Sequence, residues 1–226
     1  MRLLIATQNQ NKVREIREIL EGSTKNSGLE LVGLDEIVEA RGAPIEEPVE
    51  DGLSFEENAR IKARYYAKAT GLVAIAEDSG LEVDALDGAP GIHSARYAGV
   101  GESREERDRA NNQKLLRELE GAAEAERAAR FVCALSVVSS TGEVLYETRG
   151  EFEGRIGTEP RGDGGFGYDP LLFIPELGKT SAELTSEEKN ARSHRGAAFR
   201  ALAKVLPSLL ATLSQAAGDT KLEGER

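Results

Sequence analysis

Apolar-rich residues from Ala129 to Val138, a Thr141-Gly142 turn and a second run from Val144 to Phe152 predict a long antiparallel hairpin in mid-chain. The hairpin restricts the fold sharply, because the residues before it alternate between strand and helix signals. Leu3–Ala6 reads as a short buried strand, and Lys12–Leu20 as a helix with Val13, Ile16, Ile19 and Leu20 facing inward. Leu29–Leu34 is a second strand, followed by an irregular, acidic stretch from Glu36 to Asp51 that holds Pro44 and Pro48. Ser54 with Glu57 forms a capping box that opens another helix, and Gly71 closes it before the apolar run Leu72–Ala76. Strand, helix, strand, helix, strand is an α/β opening. Purely doubly wound folds rarely carry a hairpin in their middle, so the expectation is a mixed sheet, long and strongly twisted, or two lobes that share strands.

Further along, Ser103 and Glu106 make a second capping box, opening a charged helix to about Leu119. Leu171–Ile174 is an apolar run stopped by Pro175, and Thr185 with Glu188 caps a polar helical turn. The final helix carries Ala198, Leu202, Val205 and Leu206 inward, and Pro207 is expected to break or kink it. Residues 1–216 are expected to form one domain, and the polar end, 217–226, to be disordered.

A net charge of −11 disfavours nucleic acid and anionic membranes as partners, since both require a basic surface. A phosphorylated substrate then needs a local basic pocket, a metal ion or both. Cys133 is the only cysteine, which excludes an intramolecular disulfide and a cysteine-based zinc site. The apolar run at the N-terminus is too short for a signal peptide, and no stretch is expected to reach membrane-spanning length, so a cytoplasmic location is expected.

Four groups of residues could carry chemistry. Glu77-Asp78-Ser79-Gly80-Leu81 follows the Leu72–Ala76 run and reads either as a buried strand delivering acids to the sheet edge or as a strand-to-turn transition. Thr7-Gln8-Asn9-Gln10-Asn11-Lys12 is a strand-to-helix loop offering amides, a hydroxyl and a cation to one point, as a triphosphate requires, or else a plain capped turn. It is not a Walker A loop, because the glycines and the Lys-Ser/Thr ending are absent. Gly162, Gly164 and Gly167 have the spacing G-x-G-x-x-G, but Pro170 and the run after it rule out the helix that a dinucleotide fingerprint opens. The loop instead offers Phe166 or Tyr168 for stacking on a base and Asp169 for hydrogen bonding, or it is a turn with Phe166 in the core. Lys189 with His194 and Arg195 supplies donors for phosphate or carbonyl oxygens, with solvated helix caps as the alternative. At a helix start the macrodipole disfavours a cationic His194, which suits it to neutral hydrogen bonding. Among the acids, Asp78, Glu77 and Glu50 stand where a hard divalent ion such as magnesium would be held.

Thr7-x-Asn9-x-x-Lys12, Glu77 to Leu81, Gly88-Ala89-Pro90-Gly91-Ile92-x-Ser94-Ala95-Arg96-Tyr97, Gly165 to Pro170 and Ser193-His194-Arg195-Gly196 resemble, in order and spacing, the inosine triphosphate pyrophosphatase family. The match runs from Leu3 to about Leu206. The resemblance implies hydrolysis of ITP, dITP or XTP between the α and β phosphates, magnesium as cofactor, a homodimer, and an elongated mixed α/β fold with the site between two lobes. It also implies Asp78 as general base and metal ligand, with Glu50 and Glu77 as further metal acids. Thr7 to Lys12 and Lys189 would hold the triphosphate, with Ser79 nearby. Phe166 to Asp169 would embrace the nucleoside, and His194 and Arg195 would meet the purine edge. Asn11 stands where members commonly carry glycine, and asparagine tolerates the left-handed backbone better than most residues. Outside that assignment lie a pyrophosphatase for other modified nucleotides and a nucleotide sensor that does not cleave.

Overall fold

The computed structural model describes residues 1–25 and 28–223. Strands β1 (Arg2–Ile5), β2 (Glu30–Gly33), β3 (Val73–Val83), β4 (Ala128–Val138), β5 (Val144–Ile156), β6 (Leu172–Ile174) and β7 (Lys179–Thr180) form one sheet in the order β2-β1-β3-β4-β5-β6-β7. β1 runs parallel to both β2 and β3, and every later pairing is antiparallel. The expected mid-chain hairpin is β4 with β5, and the sheet is mixed as expected. Helices α1 (Gln10–Thr24), α2 (Leu34–Arg41), α3 (Phe55–Thr70), α4 (Arg104–Glu118), α5 (Ser186–Arg192) and α6 (His194–Glu223) flank it.

The caps behave as their chemistry dictates. The side chains of Ser54, Ser103 and Thr185 each accept the amide three residues on, and Gly71 closes α3 in the left-handed conformation at φ 70°.

Three elements differ from the sequence reading. Within the stretch expected to be irregular, α2 forms because Leu34 and Ile37 bury one turn apart and Gly42, at φ 67°, ends the helix before the prolines. β3 does not stop at Ala76; it runs on through Glu77 and Asp78 to Val83. Its polar half is held by β4, in register from Ala74 opposite Val138 to Val83 opposite Ala129. α6 continues past Pro207, which neither breaks it nor ends it, because Leu206 before the proline and Leu209 and Leu213 after it pack on the core. The helix reaches Glu223, across most of the segment expected to be disordered; residues 224–226 lie outside the described residues. In length and composition His194–Leu213 would span a bilayer, contrary to expectation. Ala198, Phe199, Leu202 and Leu206 nonetheless bury against the sheet, as a core helix does.

The long strands serve two cores. Near the parallel end, Leu3, Ile5, Val73 and Ile75 face α1 and α6, while Leu4, Ala6, Ala74 and Ala76 face α2 and α3. At the far end, Leu81, Val83, Phe131, Phe152 and Ile156 pack with α4, β6 and Leu171. Between the cores α6 begins directly on β5: a side chain at Gly150 would run into the His194 carbonyl, so only glycine permits that approach.

Candidate active site

β1 ends at Ile5 after pairing with β3 only as far as Ile75, so from Glu77 onward one edge of β3 has no strand beside it among the described residues. β1 leads through α1 to β2 on one side, and β2 leads through α2 and α3 back past β1 to β3 on the other, so the strand order reverses at β1, the switch point at which open α/β sheets bind ligands. A cleft of about 520 Å³ opens there. Thr7, Gln8, Asn9, Lys12, Glu50, Asp78, Ser79, Phe166, Gly167, Tyr168, Asp169, Lys189, His194 and Arg195 all border it. Gln10 and Asn11 do not; they form the first turn of α1. Asn11 needs no left-handed backbone there, since Asp87 is the sole non-glycine residue at positive φ among the described residues.

Strand alternation separates the acidic pair. Glu77 shares a face with Ile75, toward α1 and α6, whereas Asp78 shares the opposite face with Ala76, toward α3. Glu77 lies beneath the cleft floor. Its Oε1 accepts from Lys12 Nζ at 2.8 Å and from Arg195 Nη2 at 3.1 Å, and Cys133 Sγ lies 3.6 Å from Oε2. Burial opposes its charge, but Arg195 and Lys12 outweigh that and hold the Glu77 carboxyl far below the usual carboxylate range. Glu77, expected as a metal acid, thus has two cations on its Oε1 and faces away from Asp78 across the sheet.

Asp78 accepts from Lys62 Nζ at 2.9 Å through Oδ1 and from Asn58 Nδ2 at 3.3 Å through Oδ2. The same Lys62 ammonium donates to Glu50 Oε2 at 2.8 Å. Burial would lower the Lys62 pKa, yet Asp78 and Glu50 raise it, so the ammonium stays charged. Asp78 and Glu50 thus already present carboxylate oxygens to one shared cation, the donor type that magnesium takes together with substrate phosphates. Among the described residues no group of three acids, histidines or cysteines is arranged to hold a metal unaided.

On the other wall, Arg195 is almost wholly buried and gives Nε and Nη2 to Glu77, Nη2 also to Ser79 Oγ at 3.2 Å, and Nη1 to Glu15 Oε2 at 2.5 Å. His194 stacks on Phe131 with ring centroids 5.1 Å apart, and its Nδ1 has no hydrogen-bond partner among the described residues. Burial first, then the Arg195 charge, push its pKa well below the usual histidine value, so the imidazole is neutral. Asp169 is fully engaged: Oδ2 accepts from Phe166 N at 2.7 Å and Lys189 Nζ at 2.8 Å, and Oδ1 from Ser181 Oγ at 2.7 Å. A side chain at Gly165, where φ is 74°, would collide with the Asp169 carboxylate, so the loop requires glycine. Tyr168 is buried with its hydroxyl on the Ser94 carbonyl, which leaves Phe166 as the aromatic offered to a ligand.

A family model described as the Ham1 family matches residues 3–205. The chain belongs to the Ham1 family. The dITP/XTP pyrophosphatase of Mycolicibacterium paratuberculosis is 49% identical over 209 residues, covering 92% of this chain and 96% of that protein. That of Desulfotalea psychrophila is 46% identical, covering 97% and 91%. Among solved structures, a HAM1 protein from Coxiella burnetii superposes with a TM-score of 0.80 at 39% identity, covering 92% of this chain and 99% of that one. The resemblance carried by the five motifs is borne out.

Sequence reading missed several members of this Ham1-family site: Asn58 and Lys62 on α3, Glu15 on α1, and Arg104 and Arg107 on α4. A signal for two of them existed. Asn58 and Lys62 are one turn apart on the α3 face that also buries Phe55, Ala59 and Tyr66, where a solvated polar residue has no place.

Proposed function

We propose that this chain hydrolyses ITP, dITP and XTP between the α and β phosphates, giving the monophosphate and pyrophosphate and clearing these purines from the nucleotide pool. The names of its relatives support the activity. The observation that carries the mechanism is Asp78 on the cleft wall, with Oδ1 tied to Lys62 and Oδ2 held only by a long bond from Asn58.

In this reading Thr7, Asn9, Lys12 and the start of α1 receive the triphosphate, where helix amides and a cation favour negative charge. Lys189 stands further along the cleft. Asp78 takes the proton of a water attacking the α phosphorus. A new P–O bond forms, the bond to the bridging oxygen breaks, and pyrophosphate leaves with the electron pair. Lys62 holds Asp78 in place at the cleft. Asp78 and Glu50 would hold magnesium, which when bound neutralises charge developing on the phosphates. Glu77 acts at one remove, fixing Lys12 and Arg195.

Phe166 stacks on the base, and Ser79 lies beside the substrate. Arg195, Lys189 and neutral His194 line the far wall as donors. A 6-oxo purine presents an acceptor to them, whereas the 6-amino group of adenine would set donor against donor and leave buried groups unpaired. The proposal includes a cytoplasmic homodimer, with exposed Val49 and Leu53 as apolar surface available to a second copy. Light scattering of the purified chain checks the dimer.

The deciding experiment is pyrophosphate release with magnesium from ITP and XTP against ATP, GTP and the pyrimidine triphosphates. Preference for ITP and XTP with monophosphate as co-product supports the reading. Binding of ITP without release would make the protein a sensor instead.

A further inference from the structure

One face of α4 grips the nucleoside loop. Arg104, Asp108 and Asn112 are spaced four apart and therefore stack along a single stripe. Asn112 Nδ2 donates to the Gly167 carbonyl at 3.0 Å, and the Gly167 amide donates to Asp108 Oδ2 at 2.9 Å, so both polar backbone groups of that glycine are held by one helix. Asn112 keeps this bond although its Oδ1 is buried without a partner among the described residues. One turn nearer the helix start, the Arg104 guanidinium lies over the Phe166 ring, 4.5 Å from its centroid. The same group reaches the phosphate loop, donating Nη1 to Asn9 Oδ1 at 3.0 Å.

That last bond is poised for exchange. Asn9 Oδ1 already accepts from the amides of Asn11 at 3.1 Å and Lys12 at 3.4 Å, so Arg104 is a third donor on an oxygen with two lone pairs. Arg104 Nη2 has no partner among the described residues, and its Nε lies 3.9 Å from Asp108. A planar guanidinium with free donors stands between the ring that faces the nucleoside and the loop that faces the phosphates.

We propose that the α4 stripe is a clamp in which Asp108 and Asn112 position the nucleoside loop and Arg104 binds the α phosphate, releasing Asn9 as substrate enters. The proposal rests on the nucleotide reading above. It makes Arg104 a substrate-binding residue and the other two positioning residues.

The test is calorimetric binding of IMP and of inosine to the full chain, with turnover of ITP measured alongside. Arg104→Ala should weaken IMP by roughly ten- to a hundredfold, as expected for loss of a charge-assisted hydrogen bond. It should raise KM for ITP in parallel. Inosine, which has no phosphate, should bind wild type and variant alike. Arg104→Lys should recover part of the IMP affinity, and it serves as the second variant should Arg104→Ala fold poorly. Equal weakening of IMP and inosine, or no effect on either, would overturn the clamp. Because binding needs no turnover, a wild-type protein that binds IMP but releases no pyrophosphate would sink the hydrolase reading alone.

Discussion

Glu77 and Asp78 are neighbours in sequence, share a strand and carry the same charge, yet they face opposite sides of the sheet. Glu77 looks into a closed environment in which Lys12 and Arg195 occupy its oxygen and Cys133 lies behind. Asp78 looks into an open one, tied to Lys62, with the cleft before it. The first arrangement fixes the positions of cations, and a carboxylate so saturated is a poor proton acceptor. The second leaves an acid restrained but accessible, which is what activation of a water requires. One strand crossing the switch point thus supplies two roles from one dipeptide, because alternation assigns each residue its own neighbours.

The largest effect should come from the open side. Asp78→Asn removes the proton acceptor and should lower kcat by about a thousandfold, within the usual range for general bases. Binding of ITP should hold or tighten, since a negative charge has left an anion site; pyrophosphate release and calorimetry read the two separately. Turnover within tenfold of wild type would erase the distinction between the two acids. Lys62→Ala should follow at about a hundredfold in kcat/KM, as it removes one preorganised cation and leaves Glu50 and Asp78 without their shared partner.

The closed side should answer mainly in stability. Glu77→Gln leaves Arg195 and Lys12 without their buried counter-charge and should cost about 3 kcal/mol in urea unfolding. The pH dependence has a definite sign. The folded pKa of Glu77 lies below the unfolded value of about 4.3, so its contribution is present above that pH and is lost as acid is added below it. Wild type should therefore lose stability more steeply than Glu77→Gln in acid. Equal slopes would mean that the Lys12 and Arg195 contacts do not outweigh burial.

Much of this architecture was legible in the residues. Serine and threonine caps, the glycine stop after α3 and the β4–β5 hairpin follow from local chemistry, and local chemistry survives in the fold. Glu77-Asp78-Ser79-Gly80 looks like a turn in isolation, and only pairing with β4 keeps β3 extended through it. Long-range pairing of that kind leaves no local trace. The same limit hid the partners of each acid. Lys62 lies 16 residues from Asp78 and Arg195 lies 118 from Glu77, and periodicity within one helix cannot say which strand residue it will meet. Pro207 misled for a related reason, since local propensity favours a break whereas Leu209 and Leu213 hold the following turns by packing.

The smallest predicted effect probes the closed face away from its acid. His194 sits beside Arg195, buried and neutral, with its pKa far below that of an exposed histidine. In the unfolded chain the same imidazole takes up a proton below about pH 6.5. The unfolded state therefore binds more protons than the folded one in that range, and stability must fall as pH drops, by at most about 1.4 kcal/mol per pH unit. His194→Gln should flatten the slope between about pH 6.5 and 5.5, a window above the ordinary range of carboxylates. His93 is exposed and present in both proteins, so its contribution cancels in the comparison. A slope unchanged by the substitution would show that the folded site admits the proton despite Arg195, and the closed face would then be wetter and more open than its partner across the strand allows.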